Sequence, residues 1–240
     1  NEVAAMLATC LPMAYYLFKN EKRWFLRLLN FVNLFFITFG LFATVSRSGL
    51  IAFVFSAAAI LRKNIKSFAA PFIVIIFAVV FMYFAKTLFL ERETVTVMLS
   101  GKVHYDHSTE TRLDLLRATF KVWLKNPLLG VGMGQVSKET STHHDAHNAY
   151  LQILCETGLF GFLSAGYIAI LFIKKTKQLQ EKGPFFKEIA SYYQIALLSW
   201  LIFLCFGHYY ACPSLWLLLV YPFISENIYE FENRAAAQTL

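Results

Sequence analysis

LRLLNFVNLFFITFGLFATVSRSGLIAFVFSAAAIL, residues 26–61, decides the architecture. Two apolar runs, 26–45 and 49–61, are interrupted only by Ser46-Arg47-Ser48, with Lys22 and Arg23 before them and Arg62 and Lys63 after. A hydrocarbon core about 30 Å thick takes about 20 helical residues, which is the scale of these runs. Further runs of the same kind cover 2–18, 68–89, 148–173, 189–207 and 213–225. Of 240 residues 58% are hydrophobic and 15% charged, against about 25% charged in a soluble domain. The expectation is an all-α polytopic membrane protein of about seven transmembrane helices, with 1–240 forming a single membrane domain. The chain opens at Asn1 without the basic start, short apolar run and small-residue cleavage site of a signal peptide, so it is read as the C-terminal portion of a longer protein with helices upstream.

Cys10, Cys155, Cys205 and Cys212 are scattered, mostly in apolar runs, where a small hydrophobe is their ordinary role. They suggest neither a disulfide framework nor a metal knuckle. The connections 19–27, 62–66 and 174–188 hold twelve of the 22 lysines and arginines and face the cytoplasm under the positive-inside rule. Segments 46–48, 90–147 and 208–212 then lie outside. Most of the net charge of +7 is therefore topological, and no nucleic-acid partner is inferred from it.

The outer loop, 90–147, is too long to be a plain connection. Within it Leu113, Leu116, Phe120, Trp123 and Leu124 recur at helical spacing, with Ser108 or Thr109 as a cap and Asn126-Pro127 and Gly130 as stops. An amphipathic helix over about 108–125 is predicted, lying on the outer membrane surface or on other helices. Arg112 falls in its first turn, where the helix dipole disfavours a cation, and either faces the protein or meets solvent, lipid phosphate, Glu110 or Asp114.

The run 49–61 spans only about 20 Å as a helix, short of the core. Arg62 and Lys63 hold its inner end, so Arg47 is expected below the outer surface, where an arginine needs a polar cavity or an anion. The alternative is that Arg47 snorkels to outer headgroups.

His143, His144, Asp145 and His147 invite a metal reading, but no helix phase gathers them and no cysteine or second carboxylate cluster completes a site, so none is assigned. The competing role for His147 is a base or anion stabiliser at the mouth of the following span, with Asn148 or Asp145 capping that helix. A histidine merely at the interface is the plain alternative. Gly130-Val131-Gly132-Met133-Gly134 lacks the strand, Lys-Ser/Thr and ribose-binding acid of a nucleotide loop and reads as a flexible turn. His208, Tyr209 and Tyr210 occupy the last outer turn, where aromatic-belt anchoring explains the tyrosines.

Together the runs Thr44-Val45-Ser46-Arg47-Ser48-Gly49-Leu50, Thr111-Arg112, Asn126-Pro127-Leu128-Leu129-Gly130-Val131-Gly132, His147-Asn148-Ala149-Tyr150-Leu151 and Glu156-Thr157-Gly158-Leu159-Phe160-Gly161 resemble the O-antigen ligase and polymerase family, as do Asn1-Glu2-Val3-Ala4-Ala5 and Pro213-Ser214-Leu215-Trp216. The resemblance implies a GT-C-like fold and an inverting, metal-independent glycosyltransferase without a cofactor. Its donor would be a glycan on undecaprenyl diphosphate, and its acceptor a lipid A core sugar, a growing polysaccharide or a protein side chain. Arg47 and Arg112 would grip the diphosphate and His147 would stand at the acceptor hydroxyl, with Asn148, Tyr150 and His208 as possible acceptor or sugar contacts. The protein would sit in the cytoplasmic (inner) membrane, surrounded by lipid, with its site facing the periplasm or outside.

Ligase and polymerase are not separated by these motifs. A transporter of anionic lipid-linked sugar, using the same arginines without chemistry, would show inverted repeats or matching broken spans, and no such repeat is visible. A non-catalytic membrane partner is the remaining class.

Overall fold

The computed structural model describes residues 2–44, 46–64, 108–140, 146–207 and 213–238. All regular elements among them are helices: α1 (Glu2–Asn20), α2 (Trp24–Ala43), α3 (Arg47–Asn64), α4 (Ser108–Lys125), α5 (Val136–Glu139), α6 (Ala149–Glu181), α7 (Pro184–Leu204) and α8 (Pro213–Gln238). The expected span over 68–89 lies outside the described residues.

The bundle is organised around α7, which packs on α1, α3, α6 and α8. Its apolar residues recur around the whole helix, so it buries Tyr192, Trp200 and Phe203 almost completely. Close approach comes from small side chains: Ala4, Ala5 and Ala8 of α1, Ala52 of α3 and Ala196 of α7 are all buried. Without a hydrophobic drive between helices in lipid, such contacts and interhelical hydrogen bonds supply the cohesion. Ser56 of α3 and Ser199 of α7 share a buried hydrogen bond at the α1–α3–α7 junction, and Ser56 Oγ also reaches the Ala8 carbonyl at 3.4 Å. At the start of α3, a Cβ on Gly49 would stand 2.6 Å from the Ala4 Cβ, so glycine is what lets α1 and α3 meet there.

The surface is apolar where a soluble protein would be polar. α2 buries Leu41 alone and exposes Phe25, Leu28, Phe31, Phe35 and Phe39. Water would penalise that face and lipid tails would not. By length and composition α2 (mean hydropathy 1.8) and α6 (1.6) can each cross a membrane.

Three expectations are revised. The third apolar run is not a short helix: α3 has 18 residues, about 27 Å, because Ser46 caps a first turn that starts at Arg47 and the helix continues through Arg62 and Lys63. The premise that shortness sinks Arg47 into the membrane therefore falls. The last run is likewise longer than expected, as part of the 26-residue α8. Finally, α6 is not one continuous span, since Gly158 (φ 66°, ψ −168°) breaks it into two helices.

Ionic contacts collect at one end of the bundle. Lys19 and Glu188 pair at 2.8 Å, and Lys63 donates to the Glu188 carbonyl while sitting 3.7 Å from the Tyr192 ring centroid. Glu226 is bridged by Lys175 at 2.6 Å and Lys182 at 3.1 Å. The hydrogen bonds from Lys19 and Lys175 hold the carboxyls of Glu188 and Glu226 below their ordinary range.

Candidate functional site

The opposite end carries the motif residues. α3 and α7 run antiparallel, with Lys63 beside Glu188 at the ionic end and Ser56 beside Ser199 midway. Arg47 begins α3 at the other end, where α7 finishes at Leu204. Asn148 starts α6 at that same end: its Oδ1 accepts from the Leu151 N–H at 3.0 Å, capping the helix, and its Nδ2 donates to the Cys205 carbonyl at 3.1 Å. Tyr150 adds a second tie, its hydroxyl donating to the Leu201 carbonyl at 2.7 Å. Asn148 and Tyr150 thus bind α6 to the last turn of α7. Between the cap and buried Ala146 stands His147, exposed, with φ 48°, the one non-glycine residue with positive φ among the described residues. Its backbone is held in a region that costs on the order of 1 kcal/mol or more unless the surroundings impose it.

α4 brings Arg112 to this end. Cys155 Sγ donates to the Thr119 carbonyl at 3.1 Å, and the Leu159 N–H to the Pro127 carbonyl at 2.9 Å, so α4 and the first half of α6 run in the same direction. Seven residues before Thr119 is Arg112 and seven before Cys155 is Asn148, about 10 Å of helix in each case, so the two backbones lie level. The packed face of α4 is Leu115, Thr119 and Val122, each 3% exposed or less. Position 112 continues that stripe by helical register. The face singled out from the sequence is the other one, with Phe120 46% and Leu124 57% exposed. The packed face has the polar Thr119 at its centre, so apolar periodicity alone picks out the other one.

The loop after α4 explains the break in α6. In an unbroken helix the N–H groups of Leu159 and Phe160 would bond to the carbonyls of Cys155 and Glu156. Here they bond instead to Pro127 and Leu128, while the freed carbonyls of Cys155 and Glu156 accept from the N–H groups of Val131 and Gly132. Four loop–helix bonds stand in for these two helical ones, so the two N–H groups and the two carbonyls freed at 155–160 all keep partners. Glycine is required on both sides: a Cβ on Gly158 would fall 2.2 Å from the Leu128 oxygen, and one on Gly130 (φ 74°) 2.4 Å from the Glu156 oxygen. The segment 130–134 is therefore pinned rather than the flexible turn expected from composition. Asn126-Pro127-Leu128-Leu129-Gly130-Val131-Gly132 and Glu156-Thr157-Gly158-Leu159 form one structural unit.

Inside that unit Glu156 and Gln152, each 3% exposed, form a buried polar pair. Gln152 Nε2 donates to Glu156 Oε1 at 2.7 Å, and the same oxygen accepts from the Gly134 N–H at 3.0 Å. Gln152 Oε1 accepts from the Ala146 N–H at 3.2 Å. Neither residue stood among the candidates from sequence, although the i, i+4 spacing of an amide and a carboxylate in an apolar run is a readable signal.

Arg47 and Arg112 are placed by their backbones, and their side chains lie outside the described part. His208, His143, His144 and Asp145 lie outside the described residues. Of the remaining candidates, the first turns of α3 and α4, His147, Asn148 and Tyr150 come to one end of the bundle.

An apolar-surfaced helical bundle with a capped, loop-braced broken helix at one end defines a helical membrane protein. The sequence profile described as O-antigen ligase matches residues 31–166, more than half of the chain, and the protein belongs to that family. No curated protein and no solved structure matches it. Membership places it among membrane-associated, glycosyltransferase-like enzymes of O-antigen and polysaccharide biosynthesis, which use lipid-linked glycans and polysaccharides as substrates.

Proposed function

We propose that the protein transfers a glycan from undecaprenyl diphosphate to an acceptor hydroxyl on the outer face of the cytoplasmic membrane, with inversion and without a metal, in the manner of an O-antigen ligase. The observation that carries this reading is that the start of α3, the first turn of α4 and His147 lie towards the same end of the bundle, opposite the Lys19, Lys63, Lys175 and Lys182 contacts. The positive-inside rule assigns the basic end to the cytoplasm, so the His147 end faces outward.

The chemistry needs little else. The acceptor oxygen attacks the anomeric carbon as the bond from that carbon to the phosphate oxygen breaks, and the diphosphate departs with the bonding pair. Two guanidinium groups, Arg47 and Arg112, stabilise the charge that develops on it. A neutral His147 imidazole orients the hydroxyl and takes its proton late in the step, a contribution of about 10² to 10⁴ in rate. Asn148 and Tyr150 hold α6 in place while the Tyr150 ring and the remaining amide hydrogen of Asn148 contact sugar, with His208 as a further polar contact.

The broken α6 bears on the transporter alternative. A transporter uses freed backbone groups at a break to hold its substrate, whereas here the loop 127–132 occupies them. The test is transfer from a purified undecaprenyl-diphosphate-linked donor in the presence of EDTA. Undiminished product supports the proposal, while loss on chelation and recovery on adding a divalent cation would return His143, His144, Asp145 and His147 to consideration as ligands.

A further inference from the structure

The geometry points to Gln152 and Glu156 as positioning residues for His147, an inference that rests on the reading of His147 as the group at the acceptor hydroxyl. A carboxylate 3% exposed in an apolar helix is a costly residue, and helix formation alone does not call for it. Its contacts account for its presence. Glu156 Oε1 accepts two hydrogen bonds at once, from Gln152 Nε2 and from the Gly134 N–H.

The first bond orients the glutamine. A carboxylate only accepts and the Ala146 N–H only donates, so one orientation of the Gln152 amide satisfies both, with Nε2 toward Glu156 and Oε1 toward Ala146. Ala146 is thereby tethered on one side of His147, while Asn148 is anchored to Leu151 and Cys205 on the other. The left-handed backbone of His147 is held between these two anchors. The second bond, to Gly134, fastens the loop that follows α4. One buried carboxylate thus sets the backbone of His147 and braces the hairpin bearing Arg112, coupling the acceptor side of the site to the donor side.

The experiment compares the wild type, His147→Ala, Gln152→Glu and the double exchange Gln152→Glu/Glu156→Gln in the full protein, at matched membrane levels, with turnover and apparent donor KM measured separately. Gln152→Glu removes the donor and sets two carboxylates against each other. Turnover is expected to fall about 10²-fold, the scale of a displacement of about 1 Å at a reacting group, with donor KM nearly unchanged. The double exchange relieves the facing carboxylates and restores the bonds that hold Ala146: the amide nitrogen at 156, in the place of Oε1, donates to the carboxylate at 152, which accepts from the Ala146 N–H, while the Gly134 bond is given up because that one atom cannot also accept. Recovery of turnover by about tenfold over the single variant is expected, short of wild type because the Gly134 contact is lost.

Wild-type turnover in Gln152→Glu, or a double exchange as impaired as the single, would overturn the positioning role even if His147→Ala is inactive. Full activity in His147→Ala would instead remove the reading beneath it. The two failures are therefore distinguishable.

Discussion

Gly158→Ala is expected to abolish transfer while leaving the protein in the membrane. Alanine at φ 66° and ψ −168° occupies a region open essentially to glycine alone, and its Cβ would overlap the Leu128 carbonyl. Relief comes by straightening α6, which regains the helical bonds from Leu159 to Cys155 and from Phe160 to Glu156. Those carbonyls then no longer accept from Val131 and Gly132, and the loop 127–132 is expelled with the loss of four hydrogen bonds, each worth about 1 kcal/mol. α1, α2, α3 and α7 keep their contacts, so the membrane level should hold. The hairpin carrying Arg112 loses its seat on α6. Limited proteolysis from the outer side should cut near 126–134 in the variant and not in the wild type, alongside transfer below about 1%. Wild-type activity with an uncut loop would mean that the break in α6 is incidental.

His147→Ala is the second large effect. The substitution leaves both anchors of the segment, Ala146 to Gln152 and Asn148 to Cys205, so it removes an imidazole rather than a fold. Alanine also tolerates φ 48° less well than histidine, at a cost of about 1 kcal/mol confined to one exposed residue. Turnover is expected to fall by about 10² to 10⁴ with membrane level and apparent donor KM close to wild type, because the proposal gives the donor to the arginines and the acceptor to His147. A variant with raised donor KM and unchanged turnover would place His147 on the diphosphate instead.

The apolar runs make the helical membrane class legible in the sequence, and the arginines, His147 and the two glycine-bearing motifs stand out there as a set. What stayed hidden depends on contacts between distant segments. A lone glycine in an apolar run is ordinary, and nothing local to residues 149–157 announces that Gly158 breaks the helix. The cause is a loop some thirty residues upstream whose own glycines, read alone, suggest mobility. α3 was read as short because Arg47, Arg62 and Lys63 were assigned to loops, whereas the Ser46 cap and long basic side chains let a helix run through them. The packed face of α4 was missed because Thr119, at its centre, does not count as apolar, yet it is fully buried against α6 with its carbonyl accepting from Cys155. Gln152 and Glu156 escaped notice because their importance lies in Ala146 and Gly134.

The central proposal is that one end of the bundle brings two arginines to a single lipid diphosphate and a histidine to the acceptor hydroxyl. It is tested most directly by reconstituting the protein in lipid with an undecaprenyl-diphosphate-linked glycan and measuring transfer by Arg47→Ala, Arg112→Ala and the double variant. Each single variant is predicted to lose about 10²-fold or more. The double variant should lose little beyond the worse single, since both side chains serve one leaving group. Wild-type transfer by either single variant, or losses that simply multiply in the double, would contradict a shared diphosphate site.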